Sequence, residues 1–435
     1  MGHLDRIMGI RRPHRRRPDP EGPLRIALLS YRSKPHCGGQ GVYVRHLSKA
    51  LADLGHHVEV FSGQPYPELA DGVRLTKLPS LDIYNEHHPM RMPGFWELKT
   101  VEDWVEVATF CAGTFPEPMA FSLRAWRHLR NRLHEFDLAH DNQSLGYGLL
   151  GLQYSGLPVI ATIHHPITVD RRLEVRHAES WWQRIAKRRW YAFCEMQTRV
   201  ARRLPRVITV SESSSDDIHR DHLVPRERIH VVPVGVDTEL FRPLARVSRV
   251  PGRLITTASA DVAMKGLRYL LEAVAKLRTE REVDLVVIGK LRDDSPAART
   301  IRHLDLADCV RFVSGVSEER IIELYAEAEV AVVPSLYEGF SLPAIEAMAC
   351  GVPVVATTGG ALPEVVGRDG HSAVLVPPGD PEALATAIGR LLDDPQARAR
   401  IGAEGRRRVE EKWSWRRTAE RTVEQYRLLL EEVSR

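Results

Sequence analysis

From Val330 to Thr357 the chain reads VAVVPSLYEGFSLPAIEAMACGVPVVAT, and this one stretch excludes most folds. Its two apolar runs, VAVVP and VPVVAT, suit short buried strands, the first ending at Pro334. Between them lie a loop and a short helix. Ser341 is placed as the N-cap, Pro343 falls in the first turn, and Gly351 closes the helix. Strand, loop, helix and strand in that order build an open α/β sheet, whose ligands bind beyond the carboxyl ends of the strands. Glu338 then sits on the loop after the first strand, and Glu346 sits one turn into the helix, whose N-terminus favours an anionic group. The plainer alternative makes Glu338 a turn acid and Glu346 a solvated helix residue.

The same pattern opens the chain. LRIALLS reads as a buried strand, YRSKPHCGGQG as a glycine loop, VYVRHLSKALADLG as a helix and HHVEVFSG as the next strand. Gly38, Gly39 and Gly41 let backbone approach a phosphate at the helix N-terminus, but the spacing is not G-x-G-x-x-G. Spacing alone leaves a tight turn and a ligand contact equally open. FDLAHDNQ and LPVIATIHHPITVD read as further strands, the second ending in His164 and His165. RLITTASADVAMKGLRYLLEAVAKL reads as strand, polar loop and helix, with Lys265 in the first helical turn, where a cation opposes the helix dipole unless an anion joins it. An exposed surface lysine is the alternative there. Residues 79–120 lack a clear period and read as a long ordered excursion, either a cover for an acceptor or padding.

At 435 residues the chain exceeds what one hydrophobic core serves, so two domains are expected. The boundaries are placed as a basic tail over 1–22, a first domain over 23–237, a linker over 238–252, a second domain over 253–411, and a C-terminal helix over 412–435 that returns to the first domain. The five cysteines include no C-x-x-C pair, which suits a reducing cytoplasm. A net charge of +4 says little about partners, and no nucleic acid is expected. The N-terminus carries no apolar signal-peptide core, and no run of about eighteen apolar residues marks a membrane span. Residues 181–206 read as one long basic helix whose apolar face comprises Trp182, Ile185, Phe193, Met196 and Val200. Its place within a domain favours packing on the sheet; the competing reading is peripheral contact with an anionic membrane at its inner face.

The stretch around Glu338 and Glu346 resembles the E-x7-E signature of family-four glycosyltransferases, retaining enzymes of the GT-B fold. The likeness continues through GVPVVATTGGALPEVV and GHSAVLVPPGDPEALA and covers nearly all of residues 24–435. It implies two facing doubly wound Rossmann-like domains, the second binding a nucleotide-sugar. Carried over residue by residue, it implies that Glu338 lies by the donor sugar and that Glu346 holds the nucleotide ribose. Gly339, Phe340, Ser341 and Leu342 would meet sugar and phosphate, with Lys265 on the diphosphate. Gly39 would face the donor phosphates, and His164 would approach the donor sugar and acceptor. His140, Asp141, His165 and Asp170 are left as structural residues. One departure stands out: the family usually carries an arginine five residues before the lysine, and this chain has Ala260, with Ser259 and Asp261 beside it.

The reaction implied is transfer of a hexosyl group from a UDP- or GDP-linked sugar to an acceptor hydroxyl, with retained configuration. The donor is a substrate, no cofactor is called for, and the absence of a D-x-D motif argues for a metal-free site. The acceptor is left open between lipid-linked and small molecules. A nucleotide-sugar epimerase and a non-catalytic binding module are the competing classes. Product analysis separates the first, and titration with nucleotides the second.

Overall fold

The computed structural model describes residues 21–34, 39–85, 90–176, 178, 180–258 and 262–434. Two compact units emerge: one comprises the described residues up to Val210 with Ser215–Val232 and those from Thr418, the other Ser211–Ser214 and Pro233–Arg417. The basic tail over 1–20 and the Ala260 position with its neighbours lie outside the described residues.

In the first unit the strands are β1 (Arg25–Ser30), β2 (His57–Ser62), β3 (Arg74–Lys77), β4 (Leu138–Asn142), β5 (Val159–Ile163), β6 (Arg206–Thr209) and β7 (Ile229–Val231). Among the described residues they form one parallel sheet in the order β3-β2-β1-β4-β5-β6-β7. β4 and β5 are buried at every position, as expected of strands covered by helices on both faces. Helices supply the cover: Phe121, Ala125 and Leu129 recur at four-residue steps along Glu117–Leu129 and join Leu149, Leu152, Met196 and Val200 in one core.

In the second unit the strands are β8 (Arg253–Thr257), β9 (Asp284–Ile288), β10 (Val310–Val313), β11 (Val330–Val333), β12 (Val354–Thr357) and β13 (Val374–Val376), again parallel, in the order β10-β9-β8-β11-β12-β13. Leu267, Leu270, Leu271, Val274 and Leu277 turn one face of the Leu267–Leu277 helix to its core, and Leu384, Ile388 and Leu391 do so for Pro381–Asp393. Both units are doubly wound and Rossmann-like.

Two expectations need correction. The basic stretch is two helices, Trp181–Trp190 and Phe193–Ala201. Residues 114 and 115 break it: the Trp190 carbonyl accepts from Phe115 N at 3.2 Å and Thr114 Oγ1 at 3.1 Å, and Thr114 Oγ1 in turn accepts from Phe193 N at 3.2 Å. Only the second helix buries its apolar residues, Phe193, Met196 and Val200; the first buries none. Second, the excursion over 79–120 contains a regular helix, Val101–Cys111, started by a reciprocal cap between Thr100 and Asp103. β5 itself ends at Ile163, directly before His164 and His165 as the sequence indicated, and a helix from Ile167 to Arg176 follows.

Candidate active site

In a doubly wound sheet the strand order reverses at one place, and the loops leaving the two adjacent strands part there to open a crevice. In the second unit that place lies between β8 and β11. The loop after β8 brings Lys265, in a 3-10 turn over Ala263–Lys265, against the loop after β11, which carries Glu338. Lys265 Nζ donates to Glu338 Oε1 at 2.8 Å and Oε2 at 3.1 Å, and Ser335 Oγ donates to Oε1 at 2.7 Å. Glu338 is buried, whereas the lysine is partly exposed. Glycine makes this contact feasible. Gly266 has φ 66°, and a Cβ there would lie 1.9 Å from the Pro334 carbonyl oxygen. On the other side, Ala361 N donates to the Glu338 carbonyl at 2.9 Å.

Lys265 therefore precedes the Leu267–Leu277 helix rather than standing in its first turn, and it pairs with a carboxylate of its own unit. Ser341 does occupy the N-cap position of Leu342–Ala349, but not as a capping side chain. Its φ is 100°, it makes no cap hydrogen bond, and its buried Oγ has no partner among the described residues. A non-glycine residue held there stores strain of order 1–3 kcal/mol. The turn presents the helix's first N–H groups, which lack intrahelical partners. Phe340 is buried and packs edge-on against Trp413 at 5.4 Å, fixing the loop from behind. Pro343 is in the first turn, and Gly351, with φ 68°, follows the helix end, as the sequence indicated. Gly339 and Leu342 are partly buried on either side of this turn.

Glu346 is not a solvated helix residue. Its Oε2 accepts from Tyr325 Oη at 3.3 Å, and burial of the carboxyl pushes its pKa up to about 7 despite that bond. Tyr325, fully covered, also reaches Thr257 at the end of β8, at 3.2 Å.

In the first unit the order reverses between β1 and β4. His164, just after β5, donates from Nε2 to Asn142 Oδ1 at 2.8 Å. The asparagine's orientation follows from its other side, where Nδ2 donates to Ser30 Oγ and the Gln40 carbonyl, both at 3.3 Å. Gln143, at φ 58°, accepts from His164 N at 2.8 Å and donates to the His165 carbonyl at 2.7 Å. Tyr43 packs edge-on to the His164 ring at 4.7 Å. Burial lowers the histidine pKa to about 3, so the ring is neutral at physiological pH. Gly39 begins the Gly39–Asp53 helix and has open space where a Cβ would stand; Gly41 is required instead for packing, since a Cβ there would meet the Lys34 carbonyl oxygen at 2.0 Å.

The remaining candidates have structural partners. His140 bonds Thr162 Oγ1 at 2.7 Å and Tyr426 Oη at 2.6 Å. Asp141 accepts from Leu145 N at 2.9 Å and from Ser144 Oγ. His165 meets Asp170 at 3.0 Å. Sequence reasoning missed Asn142, Gln143, Ser335 and Tyr325, which orient the residues it named. HDNQ at a strand end was a usable signal for the first two; Tyr325 and Ser335 gave none. Among the described residues no group of three or more His, Cys, Asp or Glu side chains is arranged to hold a metal.

A fold of two Rossmann-like units with charged and polar loops at both reversals defines a GT-B glycosyltransferase. Comparison with known proteins agrees: residues 37–240 match the family model Glycosyltransferase Family 4, and residues 247–408 match Glycosyl transferases group 1. The chain is 55% identical over 412 residues to the MMP alpha-(1->4)-mannosyltransferase of Mycolicibacterium hassiacum, covering 94% of this chain and 100% of that protein. It is 30% identical to D-inositol 3-phosphate glycosyltransferase 2 of Catenulispora acidiphila, over 94% of this chain and 96% of the relative. Sucrose-phosphate synthase from Thermosynechococcus elongatus superposes with a TM-score of 0.72 at 25% identity, over 94% of this chain and 100% of that one. The chain belongs to the family-four glycosyltransferases.

Proposed function

We propose that this glycosyltransferase is a retaining hexosyltransferase that uses a UDP- or GDP-linked sugar and no metal. The 55% identical alpha-mannosyltransferase supports mannose as the hexose. The observation that carries the reading is the ion pair of Lys265 and Glu338 beside the strained Ser341 turn. When a sugar leaves a nucleoside diphosphate, negative charge grows on the diphosphate and positive charge on the anomeric carbon. Lys265 and the N–H groups behind Ser341 suit the first, and the buried Glu338 carboxylate suits the second. Glu346 suits the ribose, since its carboxyl can accept hydroxyl hydrogens. In the first unit, we assign the neutral His164 and Gly39 to binding rather than to proton transfer: a ring titrating near 3 is a poor base at pH 7. The acceptor proton then passes to the departing diphosphate oxygen as the glycosidic bond forms.

The ion pair adds a requirement. A diphosphate that engages Lys265 competes with Glu338, so donor binding frees the carboxylate for the sugar. Incubation of the protein with GDP-mannose and other nucleotide-sugars in excess EDTA tests the reading, with the product's anomeric configuration read by NMR. Turnover that EDTA abolishes and magnesium or manganese restores removes the metal-free assignment. An inverted product removes retention, and donor conversion without any acceptor would mark an epimerase.

A further inference from the structure

We propose that the Trp181–Trp190 helix is a docking surface for an anionic lipid bilayer. Helices of this class of domain earn their stability by covering a sheet, yet Trp181–Trp190 buries no residue at all. Trp181 and Trp182 stack on each other at 3.5 Å and are still 57% and 65% exposed, with Ile185 exposed one turn on. Leaving such side chains in water forgoes about 25 cal/mol for each Å² of apolar surface, so a contiguous set signals a covering partner.

Charge identifies that partner. The helix carries Arg184, Lys187, Arg188 and Arg189 and no acid. Lys187 is 3.4 Å from Glu174, and Arg189 donates to the Ala112 carbonyl at 2.7 Å. The Arg184 and Arg188 side chains are exposed and make no hydrogen bond or ion pair among the described residues. The Arg189 bond ties the C-terminal end of this helix to the residue that follows Val101–Cys111. Tryptophan and aliphatic side chains beside unpaired arginines match the interface of an anionic bilayer, where rings enter the headgroup layer and guanidinium groups meet phosphates. A second copy of the chain fits poorly. In a two-fold dimer this helix would face its own like charges. A nucleic acid could stack on the rings, but Ile185 would stay wet.

The test is co-sedimentation of the full chain with vesicles of phosphatidylcholine alone or with 30% phosphatidylglycerol, at about 0.02 M and about 0.5 M salt. Binding to the anionic vesicles at low salt is expected, and it should weaken at high salt as screening shortens. Arg184→Glu with Arg188→Glu should reduce partitioning tenfold or more, taking each basic residue near the surface at about 1 kcal/mol. Trp181→Ser with Trp182→Ser should reduce it independently of salt. Because Trp181, Trp182, Arg184 and Arg188 are all exposed, both variants should keep the wild-type Tm and the wild-type turnover of a soluble acceptor. Absence of binding to anionic vesicles overturns the proposal, as does equal binding to neutral vesicles or binding indifferent to both variants. Equally decisive against it are a variant-sensitive dimer by light scattering and a variant-sensitive shift with RNA but none with vesicles.

Discussion

Beside the place where β1 and β4 part, an asparagine and a glutamine at the end of β4 hold a histidine that follows β5 through uncharged hydrogen bonds; where β8 and β11 part, a lysine and a glutamate hold one another as ions. The topology of the two places is the same. Parallel strands covered on both faces put a crevice at the reversal in each case, whatever the side chains. The loops decide what each crevice can bind. A buried neutral set offers direction and shape to a hydroxyl-bearing molecule. An ion pair with one partly exposed member can exchange its partner for an anion. Function thus resides in the loops grafted on a repeated scaffold.

The largest effect should come from Glu338→Gln, which keeps shape and removes charge next to the proposed sugar site. A fall in kcat of about 10²–10³ is expected with a smaller change in KM. Because the substitution also releases Lys265, nucleoside diphosphate affinity by calorimetry should hold or rise. A parallel loss of affinity would break the contrast, since it would make the carboxylate a ligand in the ground state. Next comes Lys265→Ala, which removes charge-assisted bonds to phosphate worth roughly 1.5–3 kcal/mol, so diphosphate binding should weaken by about 10- to 150-fold. Nucleoside binding should barely move; equal losses would take the lysine off the phosphates.

On the uncharged side, His164→Gln should lower kcat/KM by about five- to tenfold, the scale of one net hydrogen bond. The pH profile between about 5 and 8 should keep its shape, because a ring titrating near 3 contributes no limb there. A limb lost in the variant would mean that the histidine titrates in the enzyme and that the neutral crevice is not neutral. The smallest effect concerns Glu346, whose carboxyl titrates near 7 when the site holds no ligand. Ribose hydroxyls donating to it would favour the ionised form and lower that value. Binding should then release a fraction of a proton near pH 7, and affinity should rise with pH from about 6 to about 7.5. Calorimetry in two buffers of different ionisation enthalpy measures the release, and Glu346→Gln should abolish it.

Most of the fold was legible because the strands are short apolar runs bounded by glycine, proline or polar loops, as at LRIALLS and VPVVAT. What failed was continuity. A three-to-four-residue apolar spacing runs through Trp182, Ile185, Phe193 and Met196, but periodicity cannot show that Thr114 and Phe115 claim the Trp190 carbonyl. The Val101–Cys111 helix was hidden for a related reason: Glu102, Asp103 and Glu106 are its buried residues, while Val101 and Trp104 are among its exposed ones, the reverse of an ordinary amphipathic pattern. Arg124 explains the inversion, pairing with Asp103 and Glu106 at 2.6 Å each. At the site, Glu338 and Lys265 were nameable from spacing and resemblance. Their pairing was not, because 73 residues separate them and only the β8–β11 adjacency brings them together.

The hydrogen bond between His140 and Tyr426 has a consequence for biosynthesis. Tyr43, Thr162, His140 and Tyr426 form a buried chain of contacts at 3.0, 2.7 and 2.6 Å, and Arg206 reaches Gln425 at 2.7 Å and also Glu432. The partners on β4, β5 and β6 leave the ribosome more than 200 residues before Tyr426 and Glu432 do. Domains usually fold as they emerge, N-terminal first. Here the earlier unit stays incomplete, its imidazole lacking Tyr426 and its guanidinium lacking Gln425 and Glu432, while the whole of the second unit is made and folds as an insertion. Nascent chains stalled before residue 418 should therefore show a protease-resistant second unit beside a first unit that is still cleaved.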